Sequence, residues 1–258
     1  MKKEMSQVRC FLLDMDGTIY LDNRPFEGAV DAVERMKKQG KVLFLTNNSS
    51  LPADGYVDKL NKLGFGVTKD NVYTSSMAAV SYMQAHHPGA ATYIFANEPV
   101  KAEFEAAGIR SADDKPDVIL IAFHTSFCYD ELEKVCNFIR EGVPFICTHD
   151  DINCPTVRGY KPDVGSYLAL IEKSTGKKPE AVCGKPYVTM GDCIKSRYSL
   201  LPREIAMFGD RLATDIKFGC VNGFVTSLVL TGEATAEDAA KSGLDIDYIL
   251  PSICCWDK

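Results

Sequence analysis

The sequence predicts an α/β fold, in which a doubly wound parallel sheet forms the core and a second α/β unit is inserted into it. Two observations lead to this prediction. Short apolar runs of strand length alternate with segments whose apolar residues recur at helical spacing, and this order is typical of parallel sheets. The apolar runs are also followed by polar residues, at the end of the sheet where open α/β folds bind ligands.

The first part of the chain provides three predicted strands with two predicted helices between them. Val8 to Leu13, Val42 to Leu45 and Val72–Tyr73 are apolar runs of strand length. Gly40 and Gly64 are the expected helix ends. The apolar faces of the two helices are Ala29, Ala32, Val33 and Met36, then Tyr56, Val57, Leu60 and Leu63.

The segment from about Met77 to Val182 is interpreted as a second unit, because it has its own alternation of strands and helices. A polar loop is predicted from Thr148 to Pro162, and the chain returns to the core from Cys183. The predicted strands of these two segments are Thr92 to Phe95, Val118 to Ala122, Phe145 to Cys147, Ile205 to Phe208, Phe224 to Val229 and Tyr248–Ile249.

Composition excludes several classes of function. The net charge is −6, and the sequence has no basic stripe of the kind that nucleic-acid binding needs. No apolar run approaches the length of a membrane span. The ten cysteines form no CxxC pair and no zinc spacing with the four histidines, so reduced thiols are expected. The N-terminus lacks an apolar signal region. We therefore expect a cytoplasmic protein that binds neither nucleic acid nor membranes.

Two carboxylates, Asp14 and Asp16, directly follow the first predicted strand. Residues two apart in an extended chain point the same way, so both side chains could reach one point beyond the strand. Like charges that close repel each other, and Mg²⁺ relieves the repulsion. The pattern indicates a metal-assisted phosphoryl site with a carboxylate nucleophile, and an ordinary acidic turn is the alternative. An EF-hand loop is excluded, because Gly17 and Pro25 occupy the wrong positions.

Further polar residues follow other predicted strands: Thr46, Asn47, Asp210 and Asp215. Lys185 precedes the strand that leads to Asp210. If the strands share one parallel sheet, these residues meet at one edge and supply what phosphoryl transfer needs. Each has a plainer explanation by itself, such as a helix-capping turn, a solvated lysine or a charge at a helix start. Their joint occurrence in this order favours the catalytic interpretation.

Four motifs together resemble the haloacid dehalogenase superfamily of aspartate-nucleophile phosphatases. They are DMDGTIY from Asp14, LTNNSS around Thr46, GKP around Lys185 and GDRLATDI around Asp210. Their details are similar to the NagD-like, p-nitrophenyl phosphatase branch, called class IIA. The resemblance implies a Rossmann-like catalytic core of residues 1–76 and 183–258, with an inserted type-two α/β cap of residues 77–182.

The resemblance implies catalytic roles for the first two carboxylates. Asp14 is the expected nucleophile and a metal ligand, and Asp16 is the expected general acid and base, with its backbone carbonyl on the metal. Ion-pumping relatives have threonine at the position of Asp16. The aspartate therefore favours a phosphatase, because it can activate water to hydrolyse the aspartyl-phosphate.

The resemblance also implies binding roles for the other residues. Thr46 and Asn47 are expected to hold the phosphoryl group, and Lys185 to bind it and to offset its charge and that of Asp14. Asp210 is an expected Mg²⁺ ligand that Asp215 supports.

The resulting prediction is an Mg²⁺-dependent phosphatase that hydrolyses small phosphomonoesters through an aspartyl-phosphate. Sugar phosphates and nucleoside monophosphates are the expected substrate class, with p-nitrophenyl phosphate as an in vitro substrate. The alternatives are a phosphotransferase or phosphomutase of the same superfamily and a non-catalytic sensor of phosphorylated ligands. A small phosphorylated metabolite is the expected partner, and similar proteins suggest a homodimer formed through the cap.

Overall fold

The computed structural model describes residues 3–156 and 159–257. The chain divides into two compact units. The first comprises Met1–Thr46, Ala53–Tyr73 and Lys185–Lys258, and the second comprises Asn47–Pro52 and Thr74–Gly184.

Strands and helices alternate along most of the chain. In chain order the strands are β1 (Cys10–Leu13), β2 (Tyr20–Leu21), β3 (Arg24–Pro25), β4 (Lys41–Thr46), β5 (Val72–Thr74), β6 (Ala91–Phe95), β7 (Arg110–Ser111), β8 (Val118–Ile121), β9 (Phe145–Cys147), β10 (Asn153–Thr156), β11 (Gly159–Pro162), β12 (Ala181–Val182), β13 (Ile205–Gly209), β14 (Val225–Val229) and β15 (Tyr248–Leu250). The α-helices are α1 (Ala29–Gln39), α2 (Ala53–Lys62), α3 (Ser75–His86), α4 (Glu98–Ala106), α5 (Tyr129–Arg140), α6 (Val164–Thr175), α7 (Val188–Tyr198), α8 (Lys217–Asn222) and α9 (Ala236–Lys241).

The core sheet has the strand order β15-β14-β13-β1-β4-β5. When these six strands are renumbered 1 to 6 in chain order and read from the β5 end, the order is 3-2-1-4-5-6. This is the order of a doubly wound fold. β1 pairs in parallel with both β4 and β13, so the carboxyl ends of all three strands lie at one edge. The strand order reverses between β1 and β13, and ligands of such sheets bind at that point.

Burial explains why β1 occupies the centre. All four of its residues are buried, as expected for a parallel strand covered on both faces. On α1, the residues Ala29, Ala32, Val33 and Met36 are fully buried, which matches the predicted apolar face. Phe11 also packs edge-on against the ring of Trp256, with 5.1 Å between centroids. The predicted core helix therefore packs as its pattern indicates.

The second unit contains another parallel sheet, with the order β12-β9-β8-β6-β7. Its central strand β8 is fully buried, and the faces of α5 and α6 that carry Val135, Ile139 and Ile171 belong to the same core. Both units are thus parallel sheets packed with helices, which confirms the predicted α/β fold class.

One local prediction is wrong, and one α-helix lies where no element is predicted. The loop predicted from Thr148 to Pro162 contains the antiparallel hairpin of β10 and β11; Val157 and Arg158 lie outside the described residues. Helix α7 lies between Lys185 and the predicted strand from Ile205, and it buries Met190 and Ile194. In the part of the chain that the structure describes, no helix combines the length and the apolar character needed to cross a membrane.

Candidate active site

A buried lysine connects two carboxylates at the edge of the core sheet. Lys185 Nζ lies 2.6 Å from Asp14 Oδ1 and 2.7 Å from Asp215 Oδ1. Asp14 directly follows β1, and Asp215 lies in the π-helical turn Leu212–Ile216 after β13. The lysine side chain is almost fully buried, so both contacts are charge-assisted hydrogen bonds away from water. This arrangement fixes the position of the Asp14 carboxylate.

Asp210 completes a cluster of three carboxylates. One oxygen each of Asp14, Asp210 and Asp215 lies within 4.8 Å of the others. The cluster offers only hard oxygen ligands, without a histidine or cysteine, and this donor set suits Mg²⁺ better than zinc.

Backbone and glycines hold the Asp210 carboxylate in place. Oδ2 accepts a hydrogen bond of 2.8 Å from the backbone N–H of Glu233, and Oδ1 accepts one of 3.4 Å from the Thr18 hydroxyl. A Cβ at Gly17 or at Gly232 would overlap the carboxylate. Gly17 also has a φ of 85°, which a side chain would strain. The glycine of the DMDGT motif is therefore required both by the turn and by Asp210.

Asp16 has different neighbours from Asp14. Its Oδ2 accepts a hydrogen bond of 3.1 Å from the Tyr20 hydroxyl and lies 3.8 Å from Lys59 Nζ. Its side chain is 59% exposed, and it is not a member of the carboxylate cluster. The structure thus leaves this carboxylate open to solvent while it holds Asp14 and Asp210 in a packed environment.

The predicted phosphoryl-binding residues Thr46 and Asn47 are both buried. Thr46 ends β4 in the core unit, next to β1 in the sheet. Asn47 belongs to the second unit, where its backbone carbonyl accepts a hydrogen bond of 2.5 Å from the Ser75 hydroxyl. A Cβ at Gly184 would lie 2.6 Å from the Asn47 side-chain oxygen, which explains the glycine before Lys185.

Known proteins are similar to this chain along nearly its whole length. A haloacid dehalogenase-like hydrolase model matches residues 11–110, and a HAD-hydrolase-like model matches residues 182–255. The 5′-nucleotidase YutF of Bacillus subtilis is 32% identical, and the alignment covers 98% of each chain. The chain belongs to the haloacid dehalogenase-like hydrolase family. The resemblance to this family and to its NagD-like, p-nitrophenyl phosphatase branch is thereby confirmed.

Two solved structures of family members are similar throughout. The 4-nitrophenylphosphatase of Thermotoga maritima is 38% identical, with a TM-score of 0.92 and 96% of each chain covered. The glycerol phosphate phosphatase of Mycobacterium tuberculosis, solved with magnesium, is 30% identical, with a TM-score of 0.89. That alignment covers 98% of this chain and 78% of the other. The prediction of a hydrolase that acts on phosphoric monoesters is confirmed at this level.

Haloacid dehalogenase phosphatases need a divalent metal ion, and the clustered carboxylates of Asp14, Asp210 and Asp215 could hold such an ion. Burial and the charge of Asp14 raise the pKa of Asp210 to about 6. The same two causes raise the pKa of Asp215, although Lys185 opposes them. Burial disfavours the Lys185 ammonium, but the charges of Asp14 and Asp215 outweigh burial and raise its pKa. The cluster therefore carries more negative charge than one lysine neutralises.

We expect metal-free protein to lose part of its stability as the pH rises from about 4 to about 7. Folded Asp210 keeps its proton up to about pH 6, whereas the unfolded chain releases it near 3.8. The folded state then binds more protons, so the free energy of unfolding falls with rising pH, by about 3 kcal/mol from this group. Chemical unfolding in EDTA should show that the stability of wild type relative to Asp210→Asn decreases over this range. A constant difference would contradict the expectation.

Several residues of the site were not predicted from the sequence. Tyr20 and Lys59 contact Asp16, while Thr18 and the backbone of Glu233 contact Asp210. Thr18 and Tyr20 lie within the DMDGTIY motif, but the spacing of its two aspartates does not indicate that these residues contact the carboxylates. Lys59 and Glu233 are separated from their partners by elements of the fold, so no sequence spacing indicates them.

Proposed function

We propose that this chain is an Mg²⁺-dependent phosphatase that hydrolyses small phosphomonoesters through an aspartyl-phosphate on Asp14. The observation that carries the proposal is the buried contact of Lys185 with Asp14 and Asp215 beside Asp210. A lysine in that position holds a carboxylate nucleophile ready and offsets part of the charge that an incoming phosphoryl group adds.

In the first step, a carboxylate oxygen of Asp14 attacks phosphorus as the bond to the leaving oxygen breaks. Lys185 keeps the Asp14 carboxylate oriented and stabilises charge on the phosphoryl oxygens. Asp16 gives a proton to the leaving oxygen, so the product leaves as a neutral alcohol. The Thr46 hydroxyl and the Asn47 amide are donors for the phosphoryl oxygens.

In the second step, water attacks the phosphorus of phospho-Asp14 and the bond from phosphorus to Asp14 breaks. Asp16, now ionised, takes a proton from that water, and inorganic phosphate leaves. The cycle returns Asp14 as a carboxylate and Asp16 in its protonated form. Asp14, Asp210 and Asp215 would hold Mg²⁺, with the backbone carbonyl of Asp16. The ion supplies positive charge that neutralises the phosphoryl oxygens.

The names of the relatives support the substrate class. They include a 5′-nucleotidase, a 4-nitrophenylphosphatase and a glycerol phosphate phosphatase, all of which are named for small phosphomonoesters. We propose the same class for this chain, with residues 77–182 as the cap domain that the family resemblance implies.

Steady-state hydrolysis of p-nitrophenyl phosphate with Mg²⁺, followed by rapid-quench analysis of Asp16→Asn, tests this function. The weakly basic p-nitrophenolate needs almost no proton, so the variant should still form the phospho-enzyme. Hydrolysis of phospho-Asp14 needs a base with every substrate, and general base catalysis supplies about 10²–10⁴-fold. We therefore expect a burst of p-nitrophenol followed by slow turnover.

The outcomes separate the proposed function from its alternatives. Release of inorganic phosphate in the wild type identifies a phosphatase, whereas transfer to an added sugar hydroxyl identifies a phosphotransferase. Binding of phosphate without turnover would identify a sensor. A variant with no burst, and with steady-state losses equal on alkyl and p-nitrophenyl esters, would assign Asp16 a role other than acid and base.

A further inference from the structure

The two oxygens of the Asp16 carboxylate have unequal surroundings. Oδ2 lies 3.1 Å from the Tyr20 hydroxyl and 3.8 Å from Lys59 Nζ. Among residues 3–156 and 159–257, no group donates a hydrogen bond to Oδ1. The carboxylate is therefore anchored at one oxygen, in a side chain that is 59% exposed.

Tyr20 is a rigid anchor. Its side chain is fully buried in the core, and its backbone carbonyl accepts a hydrogen bond of 2.8 Å from the N–H of Gly17, next to Asp16. The ring and the turn thus fix where the hydroxyl lies. A neutral phenol donates one hydrogen bond, and here that bond goes to Asp16 Oδ2.

Lys59 reaches the same oxygen from another element. It lies on α2, and its ammonium is 4.1 Å from the centroid of the Tyr20 ring. A lone surface ion pair is weak because the lysine side chain is mobile. The face of the tyrosine ring attracts the ammonium and restricts it to a position beside Asp16. Tyr20 therefore acts on Asp16 directly and also through Lys59.

We propose that Tyr20 and Lys59 are positioning residues that anchor Oδ2 of Asp16, so that Oδ1 carries the proton in both catalytic steps. The inference rests on the proposed function of Asp16 as general acid and base. Asp16 Oδ1–H gives its proton to the ester oxygen as the phosphorus–oxygen bond breaks and the bond from Asp14 to phosphorus forms. Oδ1 later accepts a proton from the attacking water as phospho-Asp14 is cleaved.

The test compares two esters with the same ring, phenyl phosphate and p-nitrophenyl phosphate. Phenolate is a strong base, whereas p-nitrophenolate is a weak one, so only the first substrate needs a well-placed acid. In Tyr20→Phe, kcat/KM for phenyl phosphate should fall about 10- to 100-fold, the range expected for losing a hydrogen bond to a charged group. For p-nitrophenyl phosphate we expect a loss of less than about threefold, since little acid catalysis is needed.

Lys59 variants provide a second and independent measurement. Lys59→Gln should show the same preference for p-nitrophenyl phosphate with a smaller effect, and Lys59→Arg should restore part of the lost activity on phenyl phosphate. Lys62→Gln removes an exposed lysine from the same helix and should leave both esters unchanged. Thermal unfolding of each variant shows whether it is folded at the assay temperature.

Equal losses on the two esters, or wild-type values for both in Tyr20→Phe and Lys59→Gln, would overturn the positioning role. The proposed function would still stand after either of these outcomes if the wild type hydrolyses both esters and Asp16→Asn is impaired on phenyl phosphate. A wild type inactive on both esters would instead overturn the proposed function and this inference with it.

Discussion

Replacing Asp14 by asparagine should abolish turnover, with kcat falling by a factor of about 10⁴ or more. Asparagine has nearly the same shape and keeps an oxygen that can accept the hydrogen bond from Lys185 Nζ, so the packing of the site should change little. The amide is a poor nucleophile, and no aspartyl-phosphate can form on it. The loss should therefore appear in kcat on every phosphomonoester, whatever the basicity of its leaving group.

The phospho-enzyme can be measured directly with a substrate whose phosphoryl group is labelled. Acid quenching during turnover traps the label that is covalently bound to the protein. Wild type should retain label on Asp14, and Asp14→Asn should retain none. Asp58→Asn is a matched control, because Asp58 is an exposed aspartate on α2 that is not a member of the cluster. Mass spectrometry should exclude deamidation back to aspartate. A variant that keeps a tenth of wild-type activity without deamidation would remove Asp14 from the role of nucleophile.

Much of the fold could be predicted, because the residues that predict its strands are the ones that the structure buries. β9 coincides with the predicted strand, and β1 begins only two residues later than predicted. The hairpin of β10 and β11 was missed because it is held by backbone pairing of largely polar residues, which leaves no apolar pattern. Helix α7 was missed because it buries few apolar side chains.

The geometry around Asp16 could not be predicted from strand alternation. Strand alternation applies only where the backbone is extended through Asp16, but β1 ends at Leu13. The carbonyl of Met15 then accepts hydrogen bonds from the N–H groups of Thr18 and Ile19, so the chain turns. The turn directs the Asp16 carboxylate to Tyr20, which separates it from the cluster around Asp14.

The cluster itself was easier to predict than its support. Parallel strands bring Asp14 and Asp210 to one edge of the sheet, and topology alone is enough for that step. The Asp210 carboxylate is held by the backbone N–H of Glu233, and it packs where Gly17 and Gly232 have no side chain. Gly17 lies in the turn after β1, whereas Gly232 and Glu233 lie in the loop after β14. Such contacts depend on loop conformations, and these are not encoded in a periodic pattern.

Removing the divalent metal should reduce activity to below detection, and Mg²⁺ should restore it. The three clustered carboxylates carry more charge than Lys185 offsets, so without a cation they repel both one another and the phosphoryl group. Ca²⁺ should inhibit, because it tolerates a looser geometry with more ligands. Activity of EDTA-treated protein in metal-free buffer, with and without each ion, measures this.

Thermal unfolding supplies a measurement that does not depend on catalysis. Mg²⁺ that binds only the folded chain stabilises it by about 2.7 kcal/mol at a concentration of 100 times Kd. This gain should be largely lost in Asp210→Asn, because the variant removes one of the three clustered carboxylates, which the backbone N–H of Glu233 holds in place. Asp192→Asn, at an exposed site on α7, should keep the full gain. Full activity without metal, or equal stabilisation of Asp210→Asn and wild type by Mg²⁺, would show that the cluster is not the metal site.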